Sequence, residues 1–325
     1  MPSVVVENLT KTFVTHKKRP GVSGALRGLV ARDRVDVHAV AGVSFEVARG
    51  EMVGFLGPNG AGKTTTLKML TGILQPTSGR AEVLGHRPSD RHPEMLRRLA
   101  LVMGNKMQLW WDLPAGESFR VLKELYEVDD ARYETRLARL VEEMALGDKL
   151  QTQVRKLSLG ERMKCELVAA LLHTPEVVFL DEPTIGLDVV SQKRIREFLK
   201  ELQRQDGSTI LLTSHYMQDV QELCERVVVI DHGKIAFDGT LRTLSDRFSD
   251  KRRLRLTFGS PVEQEDLARF GVVLEHDGTV ATMEIPRGDT PKVTAAVLQN
   301  LPVIDVGIEE VPIEDVVRQL FESGI

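Results

Sequence analysis

The octapeptide GPNGAGKT, residues 57–64, lies between an apolar run, MVGFLG, and a stretch with helical spacing, KTTTLKMLTGIL. In that setting the pattern G-x-x-x-x-G-K-[ST] commits the chain to a strand, a tight glycine-rich turn and a helix. That order lets backbone amides converge on one anion at a helix start, where the dipole favours negative charge. Gly57, Pro58, Asn59, Gly60, Ala61 and Gly62 form the cradle, and Lys63 reaches the β and γ oxygens of a bound triphosphate. The Thr64 hydroxyl can hold Mg2+, and Thr65 follows it among the phosphate contacts.

Short glycine loops recur by accident, so the reading depends on company. VVFLDEP supplies it. Asp181 ends a buried apolar strand, where an isolated carboxylate is costly unless it faces a cation, so a metal role fits, directly or through water. Glu182, next to it, is placed to orient and polarise the water that attacks the γ-phosphoryl group. His215 closes another apolar run, ILLTSH, from which it can reach the γ-phosphate. A single histidine is more often structural, and only these neighbours raise its standing.

LSLGE, residues 157–161, leads into a run expected to be helical over 161–172. The Ser158 hydroxyl and the amides near Gly160 make a second anion seat at a helix start. The chain already holds one complete cradle, so the second suits a γ-phosphate held by another copy. Two chains on a two-fold axis would then complete each other's sites and bury two ATP molecules between them. Closure would depend on ATP and opening on hydrolysis. A capping box from Ser158 to Glu161 accounts for the same residues locally.

These residues together resemble the nucleotide-binding subunit of ATP-binding cassette (ABC) transporters over about residues 3–245. The motifs keep the family's order: phosphate loop, Q-loop near 105, LSLGE, FLDEP at 179–183, GLD at 186–188, then His215. The resemblance implies an α/β P-loop NTPase with a RecA-like core, an antiparallel β subdomain and a helical signature subdomain at about 105–172. It also implies an ATPase with Glu182 as catalytic base, assisted by His215 and Lys63. Ser158 and Gly160, with Glu161 beside them, become the contacts to the partner's γ-phosphate, and Asp188 links the two sites. Phe13 matches the position that stacks on adenine, and a packed strand residue is an equal reading. Leu159 stands where the family has glycine, and Glu161 where it often has glutamine, so affinity is more open to change than mechanism. At the Q-loop Asn105 replaces glutamine and is one methylene shorter, so water or Gln108 can stand in at the Mg2+.

Within the family, TTTLKMLTGILQPTSG and a tail ending IEDVVRQLF resemble the single-cassette ATPases of multidrug and polyketide-type exporters, whose membrane subunit is a separate polypeptide. Trp110 and Trp111, in QLWWDLP, fall where such cassettes meet that subunit. They are candidate anchors, with core packing expected for one of the two. Residues 15–34 interrupt the path between the first two strands with six Lys or Arg against one Asp. They read equally as a basic amphipathic segment and as a solvated loop.

With 325 residues, 42% of them hydrophobic, the chain can support two domains, 1–245 and 246–325. The second reads β-α-β-β-α-β with an extra helix, a small α+β ferredoxin-like unit with no catalytic motif, expected to regulate or support dimerisation. Two cysteines without ligand spacing read as buried thiols. A net charge of −4 gives no global pull on nucleic acid, and none is expected as partner. No run approaches the length of a membrane span, and the start lacks a signal-peptide layout. The protein is therefore expected in the cytoplasm, held to the inner face of the membrane by its integral-membrane permease and paired as a homodimer. A soluble ABC ATPase acting on ribosome or DNA usually carries tandem cassettes or a long coiled-coil insertion, neither of which is read here, and the basic segment 15–34 is the only support for that alternative. A non-hydrolysing regulator is opposed by Glu182.

Overall fold

The computed structural model describes residues 1–16, 34–104, 106–214, 216–248 and 250–322. The chain divides into two compact units, 1–238 and 239–325. The helix Leu241–Phe248 falls in the second unit, where it packs on the last helix, Ile313–Glu322.

The first unit carries two sheets. β1 (Val4–His16), β2 (Arg34–Val47) and β4 (Ser78–Val83) form an antiparallel sheet in the order β2-β1-β4. β3 (Met52–Leu56), β5 (Leu99–Met103), β6 (Val177–Asp181), β7 (Thr209–Thr213), β8 (Arg226–Asp231) and β9 (Lys234–Thr240) form the other, in the order β5-β6-β7-β3-β8-β9. Within it, β5 with β6, β6 with β7, β7 with β3 and β3 with β8 pair in parallel. β3, β6 and β7 are buried along their whole length, which is why they read as continuous apolar runs rather than alternating ones. The two sheets share one core, in which Val6, Phe45, Phe55, Leu67 and Phe179 meet. The helical segment holds Ala115–Leu125, Asp130–Glu143 and Leu159–Leu171.

β1 and β2 are longer than their hydrophobic runs suggest. Their pairing continues through Phe13↔Val37 to His16↔Arg34, with register shifts along the ribbon. Cross-strand hydrogen bonding carries polar residues that apolar alternation alone would have left in a loop. The rest of the basic insertion, 17–33, lies outside the described residues. Both cysteines are free and buried. Among the described residues no helix is long and apolar enough to cross a membrane.

In the second unit β10 (Lys251–Phe258), β11 (Val272–His276), β12 (Val280–Pro286) and β13 (Val303–Glu310) lie antiparallel in the order β11-β12-β10-β13. β12 thus enters between β10 and β11, the split arrangement of a ferredoxin-like sandwich. Leu254, Leu256, Met283 and Val297 fill its core.

Candidate nucleotide site

The phosphate loop joins buried β3 to the helix Lys63–Leu70. Two of its glycines are required by close approach. A Cβ on Gly57 would lie 2.3 Å from the carbonyl oxygen of Ile230, and one on Gly62 would lie 2.4 Å from that of Ala39. Gly62 also has φ of 108°, a left-handed conformation that side chains resist. Lys63 is buried, and its ammonium donates to the carbonyls of Gly57 at 2.6 Å and Pro58 at 3.0 Å. Burial lowers its pKa, against the opposing pull of Glu182 and Asp181. The lysine therefore lies curled within the loop, pre-positioned for phosphate oxygens.

β7 stands between β3 and β6, so Asp181 reaches the loop across a strand. Thr64 spans the gap, its hydroxyl donating to both carboxylate oxygens of Asp181 at 3.0 and 2.8 Å. Thr213, at the end of β7, donates to the same carboxylate at 2.8 Å. Sequence reasoning missed Thr213, whose only signal was its strand-end position. A hydroxyl and a carboxylate, both oxygen donors and both partly shielded, are a donor set that suits Mg2+.

Glu182 has φ of 56°, uncommon for a residue with a Cβ. Such a conformation costs about 1–3 kcal/mol and persists only where neighbours enforce it. Here the Glu182 amide donates to the carbonyl and to the hydroxyl oxygen of Thr213, both at 3.1 Å. Just beyond, buried Asp219 accepts from Thr184, from Ser214 at 2.7 Å and from Arg196 at 3.0 Å. One carboxylate thus joins the segments following β6 and β7. His215 and Asn105 lie outside the described residues.

Ser158 caps the signature helix. Its hydroxyl accepts from the Glu161 amide at 3.2 Å, and the Glu161 carboxylate accepts from the Ser158 amide at 2.8 Å. That capping bond lowers the Glu161 pKa. The local explanation of LSLGE is therefore real, and the Ser158 side chain also bonds the Glu161 carboxylate. Leu159 is exposed and Gly160 buried. A Cβ on Gly160 would lie 2.5 Å from Ser191 Oγ, so a side chain there would displace the Ser191 hydroxyl from Asp188. Ser191 in turn donates to Asp188 from its amide at 2.9 Å and its hydroxyl at 2.7 Å. Signature loop and GLD segment are thus packed on each other within one chain.

Phe13 lies on the β1–β2 ribbon, exposed, with the Lys11 ammonium 5.3 Å from its ring centre. Gln108 is held elsewhere than at Asp181. Its backbone amide donates to both carboxylate oxygens of Glu166 at 3.0 and 3.1 Å, and its side-chain amide to the Glu166 carbonyl at 3.4 Å. Trp110 and Trp111 are 44% and 49% exposed, so neither is the core residue expected of one of them. The Arg162 guanidinium lies 4.6 Å from the Trp111 ring centre and is bonded to Leu157 and Arg155 carbonyls, which keeps the ring at the surface.

Glu166 is a further residue that sequence reasoning missed. Buried in the signature helix, it also accepts from the Leu109 amide at 3.0 Å, and burial raises its pKa. It fastens the segment after 105 to the helix that begins at Ser158. Glu166→Leu should orphan two amides and cost about 1–3 kcal/mol for each in urea unfolding. Glu166→Gln, whose oxygen still accepts, should cost less, and equal losses would contradict this role.

Bound Mg2+ would supply charge neutralisation for the phosphates at Thr64 and Asp181. The chain's own residues do the rest. Loop amides and Lys63 can orient phosphates, and Glu182 stands at the end of the strand beside Asp181 with its backbone fixed by Thr213, where a carboxylate can serve as base.

The chain is similar to known proteins. Residues 40–185 match the ABC transporter family model, and residues 250–309 match the EvrA-like ABC transporter C-terminal domain. The chain is 36% identical over 216 residues to the ABC transporter ATP-binding protein NatA of Bacillus subtilis, covering 66% of this chain and 87% of that one. It is 35% identical to the daunorubicin/doxorubicin resistance ATP-binding protein DrrA of Streptomyces peucetius, over 78% of each chain. The linearmycin resistance ATP-binding protein LnrL of Bacillus subtilis is 32% identical, over 76% of this chain and 78% of its own. Among solved structures, an ATP-binding subunit of an ABC transporter superposes with a TM-score of 0.63 at 28% identity, covering 75% of this chain and 92% of that one. A dimeric post-hydrolysis cassette bound to ADP and phosphate shares the fold at a TM-score of 0.61 and 22% identity, over 74% of this chain and 99% of its own. The chain belongs to the ABC transporter ATP-binding proteins, and it is an ATPase.

Proposed function

We propose that two copies of this chain close around two Mg-ATP and drive a separate integral-membrane permease, for export. The observation that carries this reading is the separation of roles within one chain. Lys63, Thr64, Asp181 and Glu182 form one cluster, while Ser158 opens the signature helix at an exposed position. In the reading, Ser158 and the Gly160 amide meet the partner's γ-phosphate, and Asp188 joins the two sites through Ser191. His215 contacts the γ-phosphate, and Asn105, or Gln108 once its side-chain amide leaves the Glu166 carbonyl, completes the Mg2+ shell. The export direction is supported by DrrA and LnrL, which are named resistance proteins. The cassette works at the inner face of the membrane through its permease, with half-exposed Trp110 and Trp111 as anchors. The unit 239–325 regulates or supports pairing.

Light scattering with a non-hydrolysable ATP analogue and Mg2+ tests the pairing. The wild-type chain should double in mass, and Ser158→Arg should remain single because its charge and bulk enter the shared interface. A wild-type chain that stays single with the analogue bound sinks the reading.

A further inference from the structure

We propose that His86, His92 and Glu94 form a surface site for a first-row divalent cation of the zinc type, separate from the nucleotide site. One ligand atom from each lies within 4.8 Å of the others. The two imidazoles stack with ring centres 4.8 Å apart and planes 14° from parallel, and His86 Nε2 is 3.9 Å from a Glu94 oxygen. Neither ring makes a hydrogen bond among the described residues, so ring nitrogens converge with lone pairs available. Two imidazoles and one carboxylate suit zinc, nickel or copper and do not suit Mg2+, which prefers oxygen ligands.

The backbone explains why they converge. His86 closes a two-residue hairpin in which its amide and carbonyl both bond Val83, at 3.0 and 2.9 Å. Leu84 and Gly85 both take positive φ in that turn, the geometry of a tight hairpin. After the short turn Pro88–Asp90, Arg91 adopts φ of 50° and turns the chain back. His92 then caps the helical turn Pro93–Leu96, whose proline keeps it extended, and Glu94 follows in the first turn. A bound zinc, with bonds of about 2.1 Å, would need its ligands about 3.4 Å apart. His92 and Glu94 are exposed, so rotation of their side chains closes the gap without moving the backbone. Arg98 competes weakly for Glu94 at 3.6 Å, since it holds Glu176 at 2.7 Å.

The test is a zinc titration of the full nucleotide-free chain in competition with a chromophoric chelator, beside a cobalt absorption spectrum. The wild-type chain should take one equivalent in excess Mg2+. His92→Ala should bind at least about tenfold more weakly, with His92→Gln replacing it should the alanine variant unfold. Zinc should raise the wild-type unfolding temperature and leave the variant's unchanged. The proposal is overturned if the wild-type chain takes up no zinc. It is equally overturned if the combined His86→Ala and His92→Ala variant binds the same equivalent with unchanged affinity.

Discussion

Glu182→Gln should lower ATP turnover about 10²–10⁴-fold while ATP affinity stays within about threefold of the wild type. The expectation follows from where the residue is held. Its backbone sits at φ of 56°, fixed by two bonds from its amide to Thr213, and neither bond involves the side chain. Glutamine keeps that backbone, fills nearly the same volume and cannot take a proton from water. Loss should therefore appear in kcat with KM nearly unchanged, the pattern of an interaction made only in the transition state. Steady-state phosphate release and nucleotide titration measure the two quantities. Equal turnover in both proteins would remove Glu182 from the base role.

The second large effect concerns binding. Lys63→Met should weaken ATP affinity about 100-fold or more, the equivalent of two charge-assisted hydrogen bonds at about 1.5 kcal/mol each. The side chain is 5% exposed and rests on the Gly57 and Pro58 carbonyls, so its stem packs much as methionine would. Burial already lowers the lysine pKa, which shows that the charge is held at a desolvation cost. The nucleotide-free variant should consequently unfold at the same temperature or higher, because removing a desolvated charge need not destabilise. Fluorescent-nucleotide titration and thermal unfolding separate the two effects. Retained affinity would exclude the phosphate role, and a lower unfolding temperature would assign the lysine a structural one.

The legible parts of this protein are those whose physics is local. GPNGAGKT carries its own turn geometry, and FLDEP places two carboxylates at the end of an apolar strand. The alternation and turn residues past 249 sufficed for the β-α-β-β-α-β order that the sheet β11-β12-β10-β13 displays. Other parts depend on which strands become neighbours. Thr213 matters only because β7 separates β3 from β6, and Glu166 only because its helix packs under the Gln108 and Leu109 amides. Gly160 looked like a phosphate contact alone, and packing against Ser191 supplies a second reason for it. The long β1–β2 ribbon likewise rests on pairing between strands, which hydrophobic alternation does not report.

From its sequence alone this chain was already a phosphate-binding α/β ATPase, since strand, glycine turn, lysine and strand-end acid are each specified within a few consecutive residues. Tertiary structure decided which groups hold those residues in place: Thr213 on Asp181 and Glu182, Asp219 across two loops, Glu166 beneath the tryptophan segment, and the paired histidines beside Glu94. The physical reason is distance along the chain. Short-range backbone preferences are written in neighbouring residues, whereas hydrogen bonds between remote segments exist only after burial has set the order of the strands.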